Sequence, residues 1–184
     1  MNVITVQNEA LLIKRFREGD LSAFAQIVQF HQDRIYNLCR YMLKNRQDAE
    51  DAAQETFLKA YKKLKNFKPE SSLYTWLYRI GVNTCLDHKK KLRPEPIQDQ
   101  FMVENLATAE PSPATRYESK EIGQSIQSAL YQLSKNSRLV LVLKEIEGLS
   151  YEEISEVLDL PLGTIKSRIS RAREEVCQLL QKLF

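Results

Sequence analysis

Along most of this chain apolar residues recur every three or four positions, the spacing that gathers them on one face of an α-helix. Residues 8 to 19 and 21 to 44 predict two helices separated by Glu18-Gly19-Asp20. Asp20 or Ser22 caps the second, whose apolar side is Phe24, Ile27, Val28, Ile35, Leu38, Cys39 and Met42. Residues 48 to 66 predict a third helix with the inward stripe Ala49, Ala53, Phe57, Ala60 and Leu64. After the loop Phe67-Lys68-Pro69-Glu70-Ser71-Ser72, a long helix runs from Leu73 to Lys91 on a core stripe of Leu73, Leu77, Ile80 and Thr84. Residues 119 to 147 return to helix through Ile122, Ile126, Leu130 and Leu133, then Leu139, Leu141, Val142, Leu143 and Ile146.

Nearer the C-terminus the pattern becomes a short, punctuated unit. Ser150 followed at the third place by Glu153 is a capping-box signature, so a helix starts there and buries Ile154, Val157 and Leu158. Pro161 and Gly163 break it. From about Thr164 a second helix carries Ile165, Ile169, Ala172, Val176, Leu179 and Leu183 on one side. At about 100° per residue, Lys166, Ser167, Ser170 and Arg171 point away from that stripe while Arg168 and Arg173 flank it. The unit reads as a helix-turn-helix whose outward face suits base edges and whose flanking arginines suit phosphates. Glu152, Glu153, Glu156 and Asp159 make the first helix acidic, whereas the stretch from Leu162 to Arg173 is basic without an acid, so only the second helix suits a groove. An amphipathic hairpin with a solvated basic face is the alternative.

Composition sharpens the fold class. Only 5 glycines in 184 residues, with Ala, Leu, Lys, Glu and Gln common, argue for an all-α protein. Residues 94 to 118 hold four of the 6 prolines and read as a flexible acidic linker, dividing the chain into domains at 1–93 and 119–184. The net charge of +3 is unevenly spread, at +7 over 1–93, −4 over 94–118 and 0 over 119–184. A basic N-terminal block points toward a polyanion. No apolar run reaches the roughly 20 residues of a membrane span, and the N-terminus lacks a basic leader with a hydrophobic core, which predicts a cytoplasmic protein. Cys39, Cys85 and Cys177 are widely spaced and read as buried thiols rather than a metal knuckle.

Two further surfaces stand out. On the third helix Asp51, Gln54, Glu55 and Leu58 project together away from the core stripe, so an apolar side chain sits among carboxylates. That is how a docking face for a basic partner looks, though a plain solvated face has the same charges. On the fourth helix Trp76, Arg79, Asn83 and Lys90 share a strip that could stack on unpaired bases, bond their edges and neutralise phosphates; ordinary packing of the aromatics is the alternative. His31 reads as a half-exposed helix residue, and His88 lies in a basic run. Paired carboxylates with metal-site company, a Ser/His/Asp or Cys/His set and a phosphate-cradling glycine loop are all missing from the sequence, so neither enzyme chemistry nor a cofactor is expected.

Three motifs, Asp48-Ala49-Glu50-Asp51-Ala52-Ala53-Gln54-Glu55-Thr56-Phe57, Tyr74-Thr75-Trp76-Leu77-Tyr78-Arg79-Ile80-Gly81-Val82-Asn83 and the unit from Ser150 to Arg173, resemble in order and spacing bacterial sigma factors of the extracytoplasmic-function group. The resemblance implies an all-α protein of two small helical domains, a region 2 bundle and a region 4 helix-turn-helix domain. It implies that Asp51, Gln54, Glu55 and Leu58 dock on the clamp helices of the β′ subunit of core RNA polymerase. Lys68, Ser71, Ser72, Tyr74, Trp76, Arg79, Asn83 and Lys90 would then recognise and melt the −10 element, the loop from Lys68 to Leu73 capturing a flipped base of the non-template strand. Thr164, Lys166, Ser167, Arg168, Ser170, Arg171 and Arg173 would read −35 duplex DNA, with Ser170 helping to set the sequence read. In the family the acidic linker runs through the polymerase's active-site region and RNA exit path, region 4 meets the β flap, and an anti-sigma factor commonly covers the polymerase-binding surfaces until a stress releases it. Gly81 stands where Ala is more usual and is expected to loosen its helix by up to about 1 kcal/mol if exposed.

Two other functions compete. A free-standing helix-turn-helix activator would need a ligand pocket or dimer face and would bind duplex operator DNA unaided. A helical nuclease would show metal-dependent cleavage, for which the sequence offers no residues.

Overall fold

The computed structural model describes residues 6–68, 71–91 and 126–181, with side chains over 8–68, 71–88 and 126–181. The linker expected at 94–118, Ile122 and Leu183 lie outside them. Among the described residues all regular structure is helical. Helices α1 (Val6–Arg17), α2 (Leu21–Met42), α3 (Arg46–Leu64) and α4 (Leu73–Lys91) form the N-terminal domain.

Local chemistry sets the ends of these helices. Asp20 is the N-cap of α2, accepting from the Ser22 backbone N–H at 2.9 Å, while Arg15 clamps its other oxygen at 2.6 Å. The Ser22 hydroxyl first, and Arg15 after it, hold the Asp20 carboxyl down to about 2. Asn45 caps α3, which starts at Arg46, two residues upstream of the expected start. Ser72 caps α4, its hydroxyl accepting from Thr75 N–H at 3.0 Å.

Ile27, Ile35, Leu38 and Met42 of α2 meet Ala49, Ala52, Ala60 and Leu64 of α3 and Leu77, Tyr78 and Cys85 of α4 in one core. Phe24, Val28 and Phe57, expected inside, lie half-buried at its margin, and Thr56 takes an inward place by giving its hydroxyl to Ala52 O at 2.7 Å. The loosening expected of Gly81 if exposed does not arise. Gly81 is buried where α4 crosses α2, and a Cβ there would stand 3.1 Å from Leu38 Cδ2. Hydrogen suits this position because the helices need the close approach.

His31 also departs from the half-exposed reading, being only 8% exposed on the face of α2 turned to α1 and α4. Burial first, and Arg34 second, depress its pKa to about 4, so the ring is neutral at pH 7. Its Nε2 lies 3.7 Å from Glu9 Oε1, too far for a hydrogen bond. Cys177 is another correction: Cys39 and Cys85 are buried with their sulfurs 3.5 Å apart, whereas Cys177 is exposed on α8, off its apolar stripe.

The C-terminal domain comprises α5 (126–132), α6 (Lys135–Leu141), α7 (Tyr151–Leu158) and α8 (Leu162–Gln181). A single π turn over Val142–Ile146 extends α6. Leu130, Leu133, Leu139, Leu141, Val142 and Leu143 are buried as expected, but Ile126 and Ile146 are exposed, Ile146 as the last residue of a π turn that shifts the helical phase.

Both halves of the capping box at Ser150 and Glu153 are present, with Ile154 and Val157 buried beneath and Leu158 half-buried. The break in the unit differs from expectation. The helix was expected to break at Pro161 and Gly163, but it ends earlier, at Asp159, which takes the left-handed conformation at φ 52°. Pro161 O then accepts from Thr164 N–H at 2.8 Å, so Gly163 lies inside the first turn of α8, which starts at Leu162.

The two domains pack directly against each other. Arg138 is buried and spreads its guanidinium over Leu130 O and Tyr131 O at 2.7 Å each, Leu133 O at 3.3 Å and Met42 O of α2 at 3.4 Å. The Tyr131 hydroxyl lies 2.7 Å from Arg40 O and 2.8 Å from Leu43 O. The last carbonyls of α2, which no helix can satisfy, are therefore met from the C-terminal domain.

Candidate nucleic-acid and protein interfaces

The outward face of α8 follows from its amphipathic pattern. Ile165, Ile169 and Ala172 are buried, and Lys166, Ser167, Ser170, Arg171 and Arg173 are exposed, with Thr164 and Arg168 half-exposed at the edges. Three of these side chains are engaged within the domain. Ser167 donates to Thr164 O at 3.0 Å, Lys166 Nζ lies 5.9 Å from the centre of the Tyr151 ring, and Arg173 grips Glu145 Oε1 through Nε at 2.9 Å and Nη2 at 2.6 Å. Sequence reasoning missed Glu145, because it lies on the π turn and meets Arg173 only in the folded domain.

On α4 the strip divides. Arg79 and Asn83 are exposed. Trp76 is half-buried with its ring 5.1 Å from Phe67, edge-on, so it belongs partly to the core margin. Tyr74 is half-buried, stacked edge-on against Tyr78 at 4.4 Å and beneath the Arg34 guanidinium at 5.2 Å. Lys68 and Ser72 are exposed and Ser71 half-exposed in the loop before α4; the Lys90 side chain lies outside the described ones.

Arg79 reaches across to the C-terminal domain, where Nε at 3.1 Å and Nη2 at 2.6 Å donate to Glu156 O in the last turn of α7. Beside it the Tyr74 hydroxyl donates to Glu147 O at 3.2 Å and the Tyr78 hydroxyl donates to Glu147 Oε2. Burial raises the Glu147 carboxyl above the ordinary range, against the lowering effects of Tyr78 and Arg34. None of these contacts was legible in sequence.

On α3, Asp51, Gln54 and Leu58 are exposed, Leu58 at 62%. Gln54 and Leu58 border an open apolar groove between α2 and α3 whose other walls include Val28, Tyr36 and Phe57. Glu55 corrects the expectation of an open acidic face. It is half-buried between α3 and α4, with Oε1 2.9 Å from Lys59 Nζ and Oε2 2.8 Å from His88 Nε2, and Lys59 first and His88 second hold its pKa below the usual value. The helical offset that seemed to place Glu55 with Asp51 turns it instead toward α4.

Among the described residues no cluster of His, Cys, Asp and Glu could hold a metal ion, and no helix is long and apolar enough to cross a membrane.

Comparison with known proteins identifies the family. Residues 27–95 match the family model Sigma-70 region 2, and residues 123–176 match Sigma-70, region 4. The chain is 36% identical to the RNA polymerase sigma-H factor of Pseudomonas aeruginosa, over 99% of this chain and 98% of that one. It is 38% identical to the extracytoplasmic-function sigma factor SigW of Bacillus subtilis, over 93% and 96%. A solved structure of CnrH in complex with the cytosolic domain of CnrY superposes with a TM-score of 0.72 at 28% identity, covering 95% of this chain and 98% of that one. Two sigma regions in their usual order, carried on two helical domains and shared with relatives along nearly the whole length, make this chain a member of the sigma-70 family, in its extracytoplasmic-function group.

Proposed function

We propose that this sigma factor, a non-enzymatic initiation factor acting in the cytoplasm, engages promoter DNA and core RNA polymerase through the three surfaces described above. The observation that carries the reading is the alignment of sigma factors along nearly the entire chain, both regions included. The exposed face of α8, from Thr164 to Arg173, supports −35 duplex recognition, with Lys166, Ser170 and Arg171 toward the bases and Arg168 and Arg173 toward phosphates. The loop at Lys68, Ser71 and Ser72 and the strip with Tyr74, Trp76, Arg79, Asn83 and Lys90 would hold the unpaired −10 strand. Unstacking a base costs a few kcal/mol, and stacking on an aromatic side chain returns a comparable amount.

Asp51, Gln54 and Leu58, beside the apolar groove, form the polymerase-docking face, and Glu55 supports it by fixing α3 against α4. The linker and the β flap contacts follow from family membership. The neighbour CnrH was solved bound to the cytosolic domain of a second protein, which supports control of this chain by a regulator of the anti-sigma kind. The activator reading loses its footing, since the relatives that span the chain are sigma factors.

Run-off transcription with purified bacterial core polymerase over a pool of candidate promoters tests this. Specific initiation should depend on the protein and fall in an Asp51→Lys, Leu58→Glu variant. Losing about 2 kcal/mol of docking energy weakens core binding roughly 30-fold. Tight duplex binding by the protein alone, with no initiation on any template, would overturn the reading.

A further inference from the structure

We propose that Cys39 and Cys85 form a modification site, a pair of thiols that a peroxide oxidises to a disulfide stapling α2 to α4. The assignment stands apart from the sigma-factor reading, since it needs neither promoter nor polymerase.

Three observations bring the two sulfurs into position. Their Sγ atoms lie 3.5 Å apart, Cys85 donating to Cys39. A disulfide bond is about 2.0 Å long, so the sulfurs have roughly 1.5 Å to close, a distance that side-chain rotation covers. The close approach of the helices is also built in. Gly81, one turn before Cys85, lies against Leu38, the neighbour of Cys39, and its bare backbone keeps α4 near α2 at this level. Finally, α3 holds the same turn of α4 from the other side, with Lys59 Nζ 3.1 Å from Thr84 Oγ1 and His88 Nε2 2.8 Å from Glu55 Oε2. Cys85 is thus presented to α2 by its neighbours in both directions. Cys177 stands exposed on α8, outside the pair.

In the closed bundle both thiols are buried, and the hydrogen bond from Cys85 first, then burial, pushes the Cys39 thiol well above its ordinary pKa, so the site is protected at rest. Opening of α4 from α2 admits water and the oxidant. A thiol then loses its proton and the thiolate attacks one peroxide oxygen. The O–O bond breaks, hydroxide leaves and takes up the proton as water, and the sulfur becomes a sulfenic acid. On reclosure the second thiol attacks that sulfur. The S–S bond forms as the S–O bond breaks, and the departing hydroxide carries off the second thiol's proton as water. One peroxide takes two electrons from the pair and leaves two waters, and a dithiol reverses the step by exchange. The cross-link joins positions 46 residues apart through the core that α2, α3 and α4 share, so it restrains the groove between α2 and α3 and the strip on α4 together.

The test uses the full chain carrying Cys177→Ser, which removes the exposed thiol and leaves the bundle as it is. Hydrogen peroxide is the probe, and a non-reducing digest is read by mass spectrometry. The peptides holding Cys39 and Cys85 should appear joined, lighter by two hydrogen atoms than the pair of free thiols, within one chain and at any protein concentration. In the oxidised chain the most protected amides of α4 should exchange hydrogen about 30-fold or more slowly, and dithiothreitol should restore the original rate. A further Cys85→Ala substitution should abolish both the cross-link and the slowing by peroxide. Sulfenic or sulfinic acids on separate peptides, links only between chains, or a linked bundle that exchanges as fast as the reduced one would each overturn the proposal.

Discussion

His31 shows how a single neutral imidazole couples folding to pH. Its folded pKa of about 4 lies below the 6.5 of an exposed ring, so between these values the unfolded chain binds a proton that the folded chain refuses. Stability is therefore flat above about pH 6.5 and falls as pH drops toward 4, by up to about 3 kcal/mol if the site stays closed. Glu9, raised by burial, acts with the opposite sign above its ordinary 4.5. Comparing urea midpoints of the wild type and His31→Phe across this range isolates the ring, because Glu9 is common to both; parallel curves would show that the imidazole does not carry the effect. Gly81 is the steric counterpart. With Leu38, Thr56 and Ile35 within 4 Å of any Cβ, Gly81→Val should lower the unfolding free energy by about 1–3 kcal/mol, and a midpoint at or above the wild type's would mean that α2 and α4 can part freely.

At the scale of elements, α7 depends on its first turn. Eight residues are too few to hold a helix unaided, so the cap matters more than propensity. Ser150→Ala should destabilise the C-terminal domain by about 1 kcal/mol, while Glu153→Gln, which can still reach back to the Ser150 N–H, should lose less. Thermal melts that ranked the two in reverse would contradict this. The capping box was legible because its two residues are neighbours in sequence. So was α4, from Leu73 to Lys91, because its stripe of Leu73, Leu77, Ile80 and Thr84 keeps a strict helical period. The left-handed turn was not: Gly163 is the residue that ordinarily favours such a conformation, yet Asp159 adopts it, in a loop fixed by the Ser155 hydroxyl on Leu160 O at 2.5 Å. The π turn left no periodic trace either, since it shifts the phase of one turn only. Among the candidate site residues, the exposed set on α8 follows from the helical wheel, as does the i,i+4 pairing of Glu55 with Lys59 on α3, whereas the contact of Glu55 with His88 comes from the packing of α4, which its own helix does not announce.

The whole molecule is where sequence said least. A proline-rich acidic stretch implied two independent bodies, yet Arg138, Tyr131, Glu147 and Arg79 join them through backbone carbonyls that any sequence would offer. Carbonyls have no residue signature, so such docking becomes readable only when both surfaces are folded. The cysteines turn the same architecture into a stopwatch. Cys39 and Cys85 are sealed between α2 and α4, and the hydrogen bond from Cys85 together with burial pushes the Cys39 thiol well above its ordinary pKa, away from reactive thiolate. Cys177 stands in solvent. A thiol-specific alkylating reagent should consume Cys177 within its mixing phase and the other two only as the N-terminal bundle opens, which peptide mass spectrometry can resolve; equal rates at all three would mean the bundle does not seal them. Under native conditions the slow phase then times the breathing of the N-terminal bundle in an unlabelled chain, read by its two buried sulfur atoms.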